Sequence, residues 1–305
     1  MTDSAYSETE TIRPPRNQWL DVWDQFKTHK GALMGAAFFA AILFACFLGP
    51  WLWTIDPTYI DIRARNQGPS FAHPFGTDQL GRDTFARMLA GGQVSLAVGM
   101  TAMALALILG TFIGVLAGYF KRLDGPLMRL TDLFLALPLL PLLLVIIMLF
   151  RDALRAAFGP EGGIFILIVF VIGITSWMQT ARIVRGDVLA LKEREFVLAA
   201  RSIGTPSHRM ITRHVLPNVL SPIMVSATLG IANAIITESA LSFLGLGFPS
   251  DFPTWGRLLF DATDYLQQYP ERVIWPGLAI SLTVLSVNYM GDGLRDALDP
   301  RIRGR

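Results

Sequence analysis

Charge is scarce in this chain: 16% of its 305 residues are Asp, Glu, Lys or Arg, against about 25% in ordinary soluble domains. Apolar residues make up 52%, a balance that excludes a water-soluble globule. The 26 basic and 24 acidic side chains leave a formal charge of +2, too small to point to a nucleic-acid partner. The one cysteine, Cys46, allows neither an internal disulfide nor a cysteine metal cluster. The four histidines, His29, His73, His208 and His214, contain no i, i+4 pair, which removes the helical zinc-protease pattern. No G-x-x-x-x-G-K-[ST] is present, so the chain cannot cradle ATP phosphates in that way. A G-x-S-x-G turn is missing too, and no evident acid and base pair adjoins the apolar runs. These absences leave an enzyme little basis and favour a conduit, a transporter half or a scaffold.

What is present is long uncharged sequence. Six stretches hold no Asp, Glu, Lys or Arg: Gly31 to Trp53, Val94 to Phe120, Leu133 to Phe150, Ile164 to Ala181, Val215 to Thr237 and Val273 to Met290. Their lengths are 23, 27, 18, 18, 23 and 18 residues. At 1.5 Å of rise per residue, about 18 or more apolar residues cross a hydrocarbon core of roughly 30 Å. The expectation is an all-α, polytopic membrane protein with six transmembrane helices. The first run follows 30 mostly polar residues and is longer than the usual apolar part of a signal peptide, so it is expected to stay in the mature chain. Within residues 1–30, Trp19, Leu20, Trp23 and Phe26 fall three or four apart beside Asp21, Asp24, Lys27 and Lys30. Such a helix either lies along lipid headgroups or simply leads into the first span (31–53).

Lys and Arg divide unevenly between alternate segments. The N-terminus, second loop, fourth loop and C-terminus carry 18 of them, the other three loops 8, which puts both termini in the cytoplasm. The largest outside segment is then 54–93, the strongly basic inner loop is 182–214 within a five-helix core of 94–291, and 292–305 is an inner tail. Pro138 and Pro141 in the third run, Pro217 and Pro222 in the fifth and Pro276 in the sixth are expected to kink their helices, with Pro217 and Pro222 as hinges.

The basic loop has a pattern of its own. Val188 to Ile203 reads as a helix with Phe196, Ala199, Ala200 and Ile203 at helical spacing and Glu193, Arg194 and Arg201 as polar positions. Gly204 suits the left-handed residue just past a helix end. Thr205 and Pro206 read as the cap and first residue of a second helix leading through Met210 and Ile211 to the fifth run. Small residues let another surface approach closely, so this helix is either a docking knob for a soluble partner or a segment packed on its own span ends with its arginines on lipid phosphate.

These residues resemble a known family. Glu195-Phe196-Val197-Leu198-Ala199-Ala200-Arg201-Ser202-Ile203-Gly204, followed by Leu216-Pro217, is similar to the cytoplasmic Glu-Ala-Ala loop of ABC importer permeases. Leu198 and His214 depart from the generic pattern in ways that resemble the dipeptide and oligopeptide (and nickel) branch, C-type subunit. His73-Pro74-Phe75-Gly76-Thr77-Asp78 with Gly81-Arg82-Asp83 resembles that branch's outer-loop signature. Ser242-Phe243-Leu244-Gly245-Leu246-Gly247 with Trp255-Gly256 resembles its fifth-span exit, and Gly291 to Arg301 its ending. The resemblance implies a type I importer permease in a bacterial cytoplasmic (inner) membrane. Its implied partners are a homologous second permease in a heterodimer, two cytoplasmic ABC ATPases, a periplasmic or extracellular solute-binding protein and membrane lipid. No cofactor is expected on this chain, ATP and Mg being expected on the ATPases. The implied coupling residues are Glu195, Ala199, Ala200, Arg201 and Gly204, and the implied solute is a peptide, with nickel or another small solute as the alternative.

Glu238 reads as a gate or pathway residue, with Asn233, Thr237 and Ser242 on the same polar stripe; otherwise it sits at the headgroups or caps a neighbouring helix. A proton-coupled transporter using Glu238 is the rival from another class, and a scaffold without a conduit is a third. His73, Asp78, Arg82 and Asp83 make a poor metal site, since Gly76 and Gly81 mark tight turns where Asp and Thr serve local backbone groups. Arg295 and Asp296 are expected to orient the C-terminus.

Overall fold

The computed structural model describes residues 18–298. The N-terminal residues before Gln18 and the end of the C-terminal motif, Asp299-Pro300-Arg301, lie outside the described residues. Eleven α-helices follow in order: α1 (Gln18–Thr28), α2 (Lys30–Leu52), α3 (Thr84–Tyr119), α4 (Lys121–Ala136), α5 (Leu139–Phe158), α6 (Pro160–Lys192), α7 (Glu195–Ser202), α8 (Ser207–Met210), α9 (Leu220–Phe243), α10 (Trp255–Thr263) and α11 (Glu271–Leu298). Five of them, α2, α3, α6, α9 and α11, are long and apolar enough to cross a membrane. The pair α4 and α5, bent by 89°, makes the sixth crossing when taken as one broken span. The six uncharged runs thus fall on six spans.

The helices outlast the runs that announced them. Asp83 accepts the Ala86 N–H at the start of α3, so the helix begins at Thr84, ten residues before the run at Val94, and takes Arg87 into its first turns. At the other end α6 continues past Ala181 to Lys192, and Lys192 Nζ donates to the last carbonyls of α3 at Gly118 (3.2 Å) and Tyr119 (3.0 Å). Ion pairs Arg182–Asp132 and Arg185–Asp124 then tie α6 to α4.

Only some of the prolines bend a span. Leu137, before Pro138, is extended (φ −75°, ψ 136°), as the proline ring requires, and the helix breaks there. Pro141 and Pro222 each occupy the third position of a helix, α5 and α9, where an N–H would have no intrahelical acceptor and no helix hydrogen bond is lost. The expectation of a kink at these two positions is therefore corrected. Pro217 sits in a 3₁₀ turn, Leu216–Asn218, that follows a π turn at Ile211–Val215. The fifth span accordingly starts at Leu220, not Val215. Pro276 lies inside α11.

Close packing rests on glycine. Gly110, Gly114 and Gly118 fall four apart on α3 and face α6: a Cβ added at each would stand 2.6 Å from the Trp177 carbonyl, 2.6 Å from the Ala181 carbonyl and 2.7 Å from Val188 Cβ. Backbones meet directly along this stripe. A similar contact sets α2 on α11, where a Cβ at Gly35 would stand 2.6 Å from the Ser286 carbonyl. The segment expected along the headgroups or leading into the first span, α1, packs Val22 inward, with Phe26 near Gly293 of α11. Leu20 and Trp23 stay exposed. His29 caps α2 through Nδ1 and lies 3.7 Å from Asp296, so the first helix is held beside the last.

Candidate functional site

A cavity of ≈380 Å³ opens between the bend joining α4 to α5 and the facing sides of α6 and α9. Phe134, Leu137, Leu139 and Leu142 supply its apolar wall, Thr175, Ser176, Gln179 and Thr180 come from α6, and Ser226, Asn233 and Thr237 from α9. Among the described residues no ionisable side chain lines it. Most of its hydroxyls are already engaged: Thr175 donates to Val171 O (2.8 Å), Thr237 to Asn233 O (2.8 Å), and Thr180 and Ser226 bond each other (2.8 Å). The side-chain amides of Gln179 and Asn233 are exposed and bond no other group among the described residues. An unpartnered amide in mid-span is costly against hydrocarbon, so this face meets water or protein and not lipid tails.

The polar stripe expected on the fifth span is divided. Asn233 and Thr237 line the cavity. Glu238 is fully buried on the other side of α9 and accepts hydrogen bonds from Ser242 Oγ (2.7 Å) and from Ser95 Oγ of α3 (2.9 Å). Ser95 Oγ in turn accepts the Trp255 N–H at the start of α10 (3.2 Å). The expectation that Glu238 and Ser242 line a pathway is corrected: successive helical residues differ by about 100° in direction, so Thr237 and Glu238 cannot share a face. Glu238 joins α3, α9 and α10 behind the cavity wall.

The basic loop divides its own motif in the same way. α6 ends at Lys192, and α7 is a separate helix begun after Arg194; the single helix expected from Val188 to Ile203 is broken at Glu193–Arg194. The end of α7 follows the expectation. Gly204 has φ +81°, its N–H bonds Arg201 O (3.0 Å), and the Thr205 N–H bonds Ala200 O (3.2 Å), the paired bonds of a Schellman cap. α8 starts at Ser207 with Pro206 in the capping position, one residue later than the sequence indicated. Ala200 and Val197 face inward onto Val184, Val188, Met210 and Val215. Ala199, Glu195, Arg201 and Gly204 face outward with Phe196, Leu198 and the 84% exposed Ile203. The inward face thus packs on this chain's own span ends, and the outward face is left exposed.

At the opposite end of the bundle, Asp78, Arg82 and Asp83 form a buried knot. Asp78 accepts from Leu80 N (2.8 Å), Arg82 N (2.9 Å), Arg82 Nε (2.7 Å) and Arg87 Nη1 (2.6 Å). Burial works to raise the Asp78 carboxyl, but Arg87 and Arg82 outweigh it and hold it below its ordinary value. Asp261 on α10 pairs with Arg257 (2.9 Å); there burial prevails over Arg257, Arg87 and Arg82, and its carboxyl is raised. Asp83 accepts from Trp53 Nε1 (3.2 Å) and contacts His73 Nδ1 (2.7 Å). These groups serve turns, caps and one another, the local role read for them in the sequence.

Gln179, Thr180 and Ser226 of the cavity, Arg87 of the knot and the glycine stripe were not singled out from sequence. Signals existed: Gln179 is the one amide in its uncharged run, and G-x-x-x-G-x-x-x-G stands at 110–118.

Comparison with known proteins accords with this architecture. Residues 106–304 match the family described as binding-protein-dependent transport system inner membrane component, and residues 17–69 match the N-terminal TM domain of oligopeptide transport permease C. The chain is 38% identical to the dipeptide transport system permease protein DppC of Alkalihalophilus pseudofirmus, over 95% of this chain and 94% of that one. It is 36% identical to the oligopeptide transport system permease protein OppC of Bacillus subtilis, over 93% and 90% respectively. A putative peptide transport system permease protein of Brucella abortus is 39% identical, over 90% and 89%. With its broken third span, its mid-membrane cavity and its capped α7, the chain belongs to the binding-protein-dependent transport system inner membrane components, the multi-pass permease subunits of ABC importers.

Proposed function

We propose that this chain forms one half of the path by which peptides, di- or oligopeptides, enter the cell, and that α7 is the handle by which cytoplasmic ATPases move it. The observation that carries the reading is the uncharged cavity with exposed amides at Gln179 and Asn233. A peptide is zwitterionic and its side chains vary, so a lining that offers hydrogen bonds without a fixed charge accepts many sequences. The names of the relatives support the same substrate class. A homologous second permease in a heterodimer closes the other side of the path. ATP and Mg are held and hydrolysed on two ATPase subunits, a periplasmic or extracellular binding protein delivers the solute, and both termini of this chain lie in the cytoplasm, in line with the distribution of Lys and Arg.

The mechanism follows from the two faces of α7. An ATPase gripping the exposed Ala199, Glu195, Arg201 and Gly204 face pushes Ala200 and Val197 against the lower end of α6 and the turn before α9. Those two helices carry Gln179 and Asn233, so motion at the handle reaches the cavity wall. Nucleotide shifts the balance between inward- and outward-open forms only as far as it binds one of them better. A proton-coupled transporter loses its candidate carboxylate, since Glu238 does not line the cavity.

Uptake of a labelled dipeptide into proteoliposomes holding the whole transporter tests the path. The Gln179→Leu, Asn233→Leu double variant is expected to slow uptake roughly tenfold, the effect of about 1.4 kcal/mol on a barrier, with assembly unchanged; uptake at the normal rate refutes the assignment. A photo-cross-linking amino acid at Ala199 is expected to capture the ATPase, and one at the inward Ala200 to capture nothing outside this chain. Capture from both positions or from neither contradicts the handle.

A further inference from the structure

Thr84 opens α3, Asp261 lies on α10 and Arg272 stands in the first turn of α11. They are distant in sequence, yet all three line one small cavity of ≈20 Å³, together with Asp78 and Arg87. Thr84 Oγ1, Asp261 Oδ2 and Arg272 Nη1 are buried, and among the described residues no group hydrogen-bonds any of them. Asp261 Oδ2 approaches Arg87 Nη2 only to 3.7 Å. Thr84 and Arg272 are 7% and 6% exposed. Buried polar atoms in native proteins nearly always have a partner, protein or ordered water.

We propose that this cavity binds one water molecule, which links the start of α3 to α10 and α11. The three atoms ask for different things: a guanidinium N–H must donate, a carboxylate oxygen must accept, and a hydroxyl does either. Water can accept from Arg272 Nη1, donate to Asp261 Oδ2 and use its remaining capacity on Thr84. The lining holds two carboxylates, Asp78 and Asp261, and two guanidiniums, Arg87 and Arg272, so neither an anion nor a cation gains from entering. Space agrees with the chemistry, because one water needs about 10–15 Å³ of such volume and the cavity offers ≈20 Å³. Arg272 already donates to Asn66 Oδ1 (2.9 Å) and Thr77 O (2.6 Å) of the loop before α3. The water extends that clasp to Thr84 and α10, a connection no pair of side chains makes directly.

The test is a map of the protein in lipid nanodiscs at a resolution that shows ordered water. The expected result is a single peak within hydrogen-bond reach of all three atoms. Thr84→Val is expected to lose the peak and lower the thermal midpoint by a few degrees, and Thr84→Ser to keep both. No peak in the unaltered protein, a peak there that grows markedly denser after exchange of chloride for bromide, or a Thr84→Val variant with the peak and midpoint intact each overturn the proposal. If Thr84→Val does not assemble, the unaltered and Thr84→Ser maps decide alone.

Discussion

Gly114→Leu is expected to remove folded protein from the membrane extract. Gly110, Gly114 and Gly118 bring α3 onto α6, and a Cβ at the middle position would stand 2.6 Å from the Ala181 carbonyl and 2.8 Å from Val184 Cβ. The carbonyl belongs to the helix ladder of α6 and cannot step aside without breaking it, so the helices must separate along the stripe. Helix propensity acts in the opposite direction, since glycine is about 1 kcal/mol worse than alanine inside a helix. Overpacking costs typically 1–3 kcal/mol, and leucine adds four side-chain carbons where even one has no room. Gly114→Ala should therefore be measurably less stable and Gly114→Leu lose about 3 kcal/mol or more. Gly125→Ala on α4, where an added Cβ meets nothing within 4 Å, should be neutral or stabilising. Size-exclusion profiles and thermal midpoints of the solubilised variants give the answer; a normal profile for Gly114→Leu would mean that α3 and α6 do not pack as described.

Arg87→Leu is expected to be nearly as damaging at the other end of the molecule. Arg87 is 2% exposed and donates to Asp78 (2.6 Å) and to the Ser250 carbonyl (3.0 Å). Removing it leaves a largely buried carboxylate with Arg82 as its remaining close cation, and breaking a buried pair costs about 3–5 kcal/mol. Asp78→Leu combined with Arg87→Leu should recover little of that loss, because Arg82, 3% exposed and paired with Asp78 at 2.7 Å, is then the stranded charge. The knot also predicts an acid limb. The Asp78 carboxyl is held below its ordinary value by Arg87 and Arg82 in spite of burial, so its ionised form stabilises the fold above the unfolded carboxyl value of about 4. That stabilisation is lost as pH falls through and below this value. The melting temperature of the unaltered protein should drop there, and Asp78→Asn should start lower and show a shallower acid limb. An unchanged limb in Asp78→Asn would remove Asp78 from the account.

Elements set by local chemistry were readable in advance, and those set by neighbours were not. Six spans followed from uncharged length alone, and the end of α7 followed from Gly204, because only a residue tolerant of φ +81° stops a helix in that manner. The extensions of α3 and α6 were hidden. Arg182 is charged, and a reading by uncharged runs stops there, whereas the fold neutralises it with Asp132 and lets α6 continue; Arg87, neutralised by Asp78, is likewise taken into α3. Pro138 and Pro141 look alike in sequence; they differ because a helix ends before the first and has just begun at the second.

The sequence by itself determined that this is an α-helical, multi-span membrane protein with a glycine-capped helix in its basic loop, since hydrophobic length and glycine conformation need no distant partner. Tertiary structure decided which side chains face what. It turned Asn233 and Thr237 to the cavity and Glu238 away from it, and it put Ala200 into the core and Ala199 on the surface. Adjacent residues on a helix point about 100° apart, and only the positions of the packed neighbours say which direction is inside.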